Sequence, residues 1–180
     1  MKRKLFLLFT ASILSISCMS YAFASSNSFE PYFDENGTLI APAGGYNGVL
    51  LEDKEEINPR MTPNGLFKMS YSISKKGGMV DTTGTSKHIT SDDITHGVLE
   101  MYSSPDSNNK SGTLSIGLCY YDYWGYIAQP SSLRTSVSAT EIETAYLYDP
   151  DLKEDKDYYG LVISKSSDYV SGSVAFNDLN

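Results

Sequence analysis

The chain has 180 residues, 41% of them apolar, with 14 Lys and Arg against 22 Asp and Glu, for a formal net charge of −8. A surface this acidic repels polyphosphate backbones and anionic lipid, so nucleic acid and membrane adhesion are excluded as expected partners. The length suits one domain that can bury its own core without disulfide staples.

Residues 1–24 read as a signal peptide. Lys2, Arg3 and Lys4 form a positive n-region, Leu5 to Ile16 is apolar but too short to span a bilayer, and Ala22-Phe23-Ala24 has the small-x-small cleavage pattern. The mature chain is expected to begin near Ser25 and to be secreted, and the short Lys-Arg n-region reads as bacterial. Cleavage removes three bases and no acid, moving the net charge from −8 to about −11. A competing lipoprotein reading would acylate Cys18, but Ser15 stands where a lipobox wants an apolar residue. With Cys18 gone, Cys119 is alone, so no intrachain disulfide forms and the thiol is expected to pack as an apolar group.

Residues 25–62 read as an N-terminal arm with short strands around Leu39 and Val49, and residues 63–180 as the main body. In "LFKMSYSIS", Phe67, Met69, Tyr71 and Ile73 alternate with Lys68, Ser70, Ser72 and Ser74, the period of a half-buried strand. Thr90-Ser91-Asp92-Asp93 and Thr140-Glu141-Ile142-Glu143 have capping-box spacing, and at most a single turn is expected at each. Gly97 to Tyr102, Leu133 to Val137 and Glu143 to Tyr148 are weaker strands. "TLSIGLCYY" sets Leu114, Ile116, Leu118 and Tyr120 on one face; the small residues of the other invite something to lie close against it. "YYGLVISK" is apolar on both faces, which suits a central strand, and the "SSD" before "YVSGSVAF" reads as a hairpin turn between the two. Turn signals recur every ten residues or so, among them Asn36-Gly37, Gly44-Gly45 and Gly77-Gly78. The whole predicts an all-β fold, a single-domain antiparallel β-sandwich of jelly-roll or immunoglobulin-like type.

The stretch "CYYDYWGYIAQP" carries four tyrosines and the only tryptophan. Continued alternation would bury Asp122, at about 2–7 kcal/mol for an unpaired polar group. The strand is therefore expected to end near Tyr121, with a turn closed by Gly125 and a new strand from Tyr126. Tyr121, Tyr123, Trp124 and Tyr126 become the candidate ligand-binding residues, either an exposed platform or an aromatic cap on the sandwich end.

Other constellations are weaker. Asp149, Asp151, Glu154, Asp155 and Asp157 crowd one loop, but an EF-hand would need a ligand at Lys153 and a glycine at Glu154, so a solvated acidic loop is preferred to a calcium site. His88 and His96 lack the spacing of a zinc pair, no G-x-S-x-G elbow occurs, and Glu100, the one acid read as inward-facing, has no carboxylate mate. Neither a metal, nor a cofactor, nor a catalytic residue is expected. The function expected is that of a secreted, non-enzymatic module that binds a carbohydrate or protein of the cell surface or extracellular environment through the aromatic tip. The alternative is an assembly protein that self-associates by strand addition at a sheet edge.

Overall fold

The alternation of Phe67, Met69, Tyr71 and Ile73 becomes strand β4 (Gly65–Ile73), with all four side chains buried. The computed structural model describes residues 30–52, 65–74, 76–122 and 125–179. The signal segment, Cys18, Tyr123 and Trp124 lie outside the described residues. Among the described residues no helix is long and apolar enough to cross a membrane.

Two antiparallel sheets face each other. One has the order β11-β7-β13-β4-β3, built from β3 (Gly48–Leu51), β4, β7 (Val98–Pro105), β11 (Glu143–Tyr148) and β13 (Val170–Asp178). The other has the order β1-β2-β9-β8-β12-β5, from β1 (Tyr32–Phe33), β2 (Leu39–Pro42), β5 (Gly78–Asp81), β8 (Thr113–Tyr121), β9 (Tyr126–Gln129) and β12 (Tyr158–Ser164). To it β10 (Arg134–Ser138) adds beside β8, and β6 (His88–Ile89) beside β12. The fold is an antiparallel β-sandwich, as the alternation predicts. Between the sheets Met69, Tyr71, Met101, Val174 and Phe176 meet Leu114, Ile116, Leu118, Tyr158 and Val162. Gly160 of β12 allows the sheets to close, since a Cβ there would stand 2.9 Å from the Phe67 ring and 3.0 Å from Met69 Sδ.

A second buried cluster lies on the opposite face of the eight-stranded sheet. Cys119 and Leu161 point away from the sandwich interior and are covered by Leu39, Ala41, Met79 and Ile127. The small residues of β8 do meet a close neighbour: a Cβ on Gly117 would collide with Leu133 O. The covering segment is pinned by Asp81, whose carboxylate accepts hydrogen bonds from Gly44 N (3.1 Å), Thr83 N (3.0 Å) and the Thr83 hydroxyl.

Two local expectations are corrected and a third is resolved. β12 and β13 are not a hairpin: β12 lies in one sheet between β8 and the β5 and β6 strands, and β13 lies in the other between β7 and β4. A turn signal reverses the chain without fixing which sheet receives it. Glu100 faces outward, accepting a hydrogen bond from Asn177 Nδ2 (2.9 Å), because Leu99, Met101 and Ser103 take the buried positions of β7. Of the two capping-box turns, the 3₁₀ turn Ser91–Asp93 forms, with Thr90 N donating to Asp93 Oδ2 (2.7 Å). At Thr140 the chain merely bends, and Glu143 instead accepts from Ser138 N (2.7 Å) as it opens β11.

Candidate functional site

Strand β8 ends at Tyr121. Asp122 N then donates to Tyr126 O (3.0 Å), and Gly125, at φ +85°, takes the left-handed conformation that glycine adopts without strain. The turn is therefore where the cost of burying Asp122 requires it, and Asp122 is exposed.

Of the four candidate residues, the two that the structure describes, Tyr121 and Tyr126, lie on opposite faces of the sheet. Tyr121 pairs with Ile127 across the ladder, so both share the outer face, the one carrying Cys119 and Leu161. Tyr126, one position earlier on β9, falls on the other face with Ala128 and Tyr120 by simple alternation. Tyr123 and Trp124 lie outside the described residues.

Tyr121 gains different neighbours. Its ring meets that of Tyr159 on β12 edge-on, centroids 5.4 Å apart, and Tyr159 meets His88 on β6 at 5.9 Å. Three strands thus contribute one ring each to a row across the outer face of the eight-stranded sheet. Tyr121 is 44% exposed and His88 is exposed, while Tyr159 is half-buried between them. A carboxylate flanks the row: Asp157 stands 3.9 Å from His88 Nε2. Burial, with the Asp157 charge and then Tyr121 and Cys119 adding to it, raises the Tyr159 phenol above its ordinary pKa, so it stays protonated and able both to donate and to accept. In the sequence Tyr159 belongs to a central strand that is apolar on both faces, and nothing there marks its side as the outer one. That it meets Tyr121 depends on the β8–β12 register, and no local signal carries that.

A different pair of tyrosines covers the inner side. Tyr120 and Tyr158 meet edge-on at 5.8 Å over the end of the main core, and Lys156 Nζ sits 3.9 Å from the Tyr120 ring centroid. Tyr158 accepts a hydrogen bond from Lys153 N (2.9 Å), and Leu152 packs against the core. The acidic loop therefore closes this end of the sandwich. Among the described residues no group of three His, Cys, Asp or Glu side chains is placed to hold a metal ion.

Thr95, His96 and Asp178 form a hydroxyl, imidazole and carboxylate cluster. Thr95 Oγ1 donates to Asp178 Oδ2, and His96 Nδ1 lies 2.8 Å from Thr95 Oγ1 and 3.4 Å from Asp178 Oδ2. A nucleophile and base need the two ring nitrogens for two partners, one for the hydroxyl and one for the carboxylate. Here one nitrogen meets both. Burial opposes the Asp178 charge, but hydrogen bonds from Thr95 and His96 outweigh it and hold the carboxyl below its ordinary value. The cluster ties the end of β13 to the loop before β7.

No family model matches the chain, and no curated protein matches it. Among solved structures it is similar to one described as "Structural basis for the promiscuous specificity of the carbohydrate-binding modules from the beta-sandwich super family", at 11% identity over 82% of this chain, with a TM-score of 0.43. The chain spans 57% of that protein's length.

Proposed function

We propose that the chain is a secreted, non-enzymatic sandwich module that binds a saccharide of the cell envelope or extracellular environment through the Tyr121, Tyr159 and His88 row. The observation that carries this reading is the row itself: three rings from three strands on one face, flanked by Asp157. Sugar rings present apolar C–H faces and a rim of hydroxyls, which aromatic faces and carboxylate acceptors complement together. Ring contacts of ~0.5–1.5 kcal/mol each, with a few hydrogen bonds of about 1 kcal/mol, correspond to millimolar to high-micromolar affinity. Affinity electrophoresis of the mature chain through gels containing a β-glucan, a xylan, a mannan or a soluble chitin tests it. Retardation by at least one polysaccharide, lost in Tyr121→Ala and Tyr159→Ala, is expected; unretarded migration in all four gels would refute it. Secretion is tested separately by sequencing the N-terminus of the exported protein, expected near Ser25.

One observation favours the assembly reading as a second possibility. Strand β11 pairs on one side with β7 and, among the described residues, with no other strand. It carries exposed apolar groups, Tyr148 at 71% and Ile142, just before it, at 60%. Such an edge is a template for strand addition. Light scattering at increasing concentration decides: a monomer throughout excludes this route.

A further inference from the structure

The far end of the same outer face holds a different kind of site. A cavity of about 450 Å³ opens there between β8, β10, β12 and the arm. Arg134, Lys165, Phe33, Ser115 and Ser136 line it, and although the chain has 22 acidic residues, no Asp or Glu lines it among the described residues. The Arg134 guanidinium lies 4.9 Å, and Lys165 Nζ 5.2 Å, from the centroid of the Phe33 ring. The ring face offsets their charge but offers no conventional hydrogen-bond acceptor. Among the described residues neither cation pairs with a carboxylate, and the one protein acceptor for Arg134 is Gly37 O at 3.5 Å. The five-donor fork of Arg134 and the ammonium of Lys165 are thus held in place and left available.

We propose that this cavity binds the oxyanion group, carboxylate or sulfate, of an acidic saccharide. Arg134 donates two N–H bonds to two oxygens of the oxyanion, Lys165 supplies a second charge, and Ser115 and Ser136 from neighbouring strands serve the sugar hydroxyls. The volume is that of a small-molecule site and exceeds what an inorganic anion fills. The proposal does not rest on the tyrosine row, which lies at the opposite end of β8 and β12.

Isothermal titration of the mature chain at low salt with trigalacturonate, its neutral methyl ester, a sulfated trisaccharide and sodium sulfate tests it. At least one acidic trisaccharide is expected to bind, the methyl ester at least ~10-fold more weakly, with affinity falling as salt is raised. Preference between the two acidic probes distinguishes a uronic acid from a sulfated sugar as the source. Arg134→Gln and Lys165→Gln should each weaken binding by ~10-fold or more, while Lys153→Gln, an exposed cation outside both sites, should leave it unchanged; amide shifts at Ser115 and Ser136 rather than at Tyr121 and Tyr159 separate this site from the tyrosine row. Amide shifts at Ser115 and Ser136 in the wild-type chain give the same readout without any variant. Equal binding of the methyl ester, no binding of either acidic trisaccharide, or sulfate alone binding as well as the sugars would overturn the proposal.

Discussion

The two ends of the outer face of the eight-stranded sheet differ in every property that selects a ligand. At the end where β8 finishes and β12 begins, Tyr121, Tyr159 and His88 line up beside Asp157. At the other end Arg134 and Lys165 share the Phe33 ring and, among the described residues, no carboxylate lines the cavity. From Tyr159 to Ile163 the separation along β12 is about 13 Å at the usual rise of a strand. Between the ends the face is dry, with Cys119 and Leu161 covered by Leu39, Ala41, Met79 and Ile127. A chain acidic overall can therefore still present a basic site, because the fold, rather than the composition, decides where its few bases collect.

The comparison breaks most severely if its dry middle is emptied. Leu161→Ala should cost about 2–5 kcal/mol in chemical denaturation, the range for a truncated buried leucine, with loosening of the cover over both ends. A cost below about 1 kcal/mol would show that the arm does not seal this face. The same zone can be read without mutation. Burial, helped by the nearby Asp81 charge, pushes the Cys119 thiol well above its usual pKa, so it should label slowly in the native protein and rapidly once unfolded. Stoichiometric native labelling within minutes would contradict the covered middle.

At the aromatic end, Tyr121→Ala should change stability by less than about 1 kcal/mol while abolishing retardation in polysaccharide gels, because an exposed ring contributes little to folding. A larger loss of stability would make Tyr121 part of the packing instead.

The smallest effect concerns how the cover is pinned. Burial raises the Asp81 carboxyl above its ordinary value near 3.8, although hydrogen bonds from Thr83, Gly44 and Gly45 pull the other way. An acid whose pKa is higher in the folded state than in the unfolded one stabilises most below the unfolded value, and that contribution is lost as pH rises through the folded value. Wild type should therefore lose stability relative to Asp81→Asn as pH rises from about 3 towards neutrality. A gain over the same interval would reverse the sign and exclude burial as the dominant cause.

Strands with unbroken alternation were legible from the residues alone. β4 follows Phe67, Met69, Tyr71 and Ile73, and the end of β8 follows from the cost of burying Asp122 and from Gly125. β5 was not legible, since in "GMVD" a buried carboxylate sits where a strand pattern wants an apolar residue, and its acceptors are satisfied by Gly44, 37 positions away. The β12–β13 connection misled for a related reason: alternation assigns faces, but partners are chosen by the whole sheet. Likewise Tyr121 was found as a candidate while Tyr159 and His88 were not, because register places them side by side and proximity in sequence does not. The same rule of alternation that keeps Tyr121 outside turns Tyr126 to the opposite face.

Amide chemical shifts of the ¹⁵N-labelled mature chain, followed during titration with cellohexaose, xylohexaose, mannohexaose and chitohexaose, test the tyrosine row most directly. With at least one of these sugars the shifts should concentrate at His88, Tyr121, Asp157 and Tyr159, and disappear in Tyr159→Ala. Shifts clustered elsewhere, or none with any of the four at concentrations on the order of 10 mM, would show that the row is not a saccharide site.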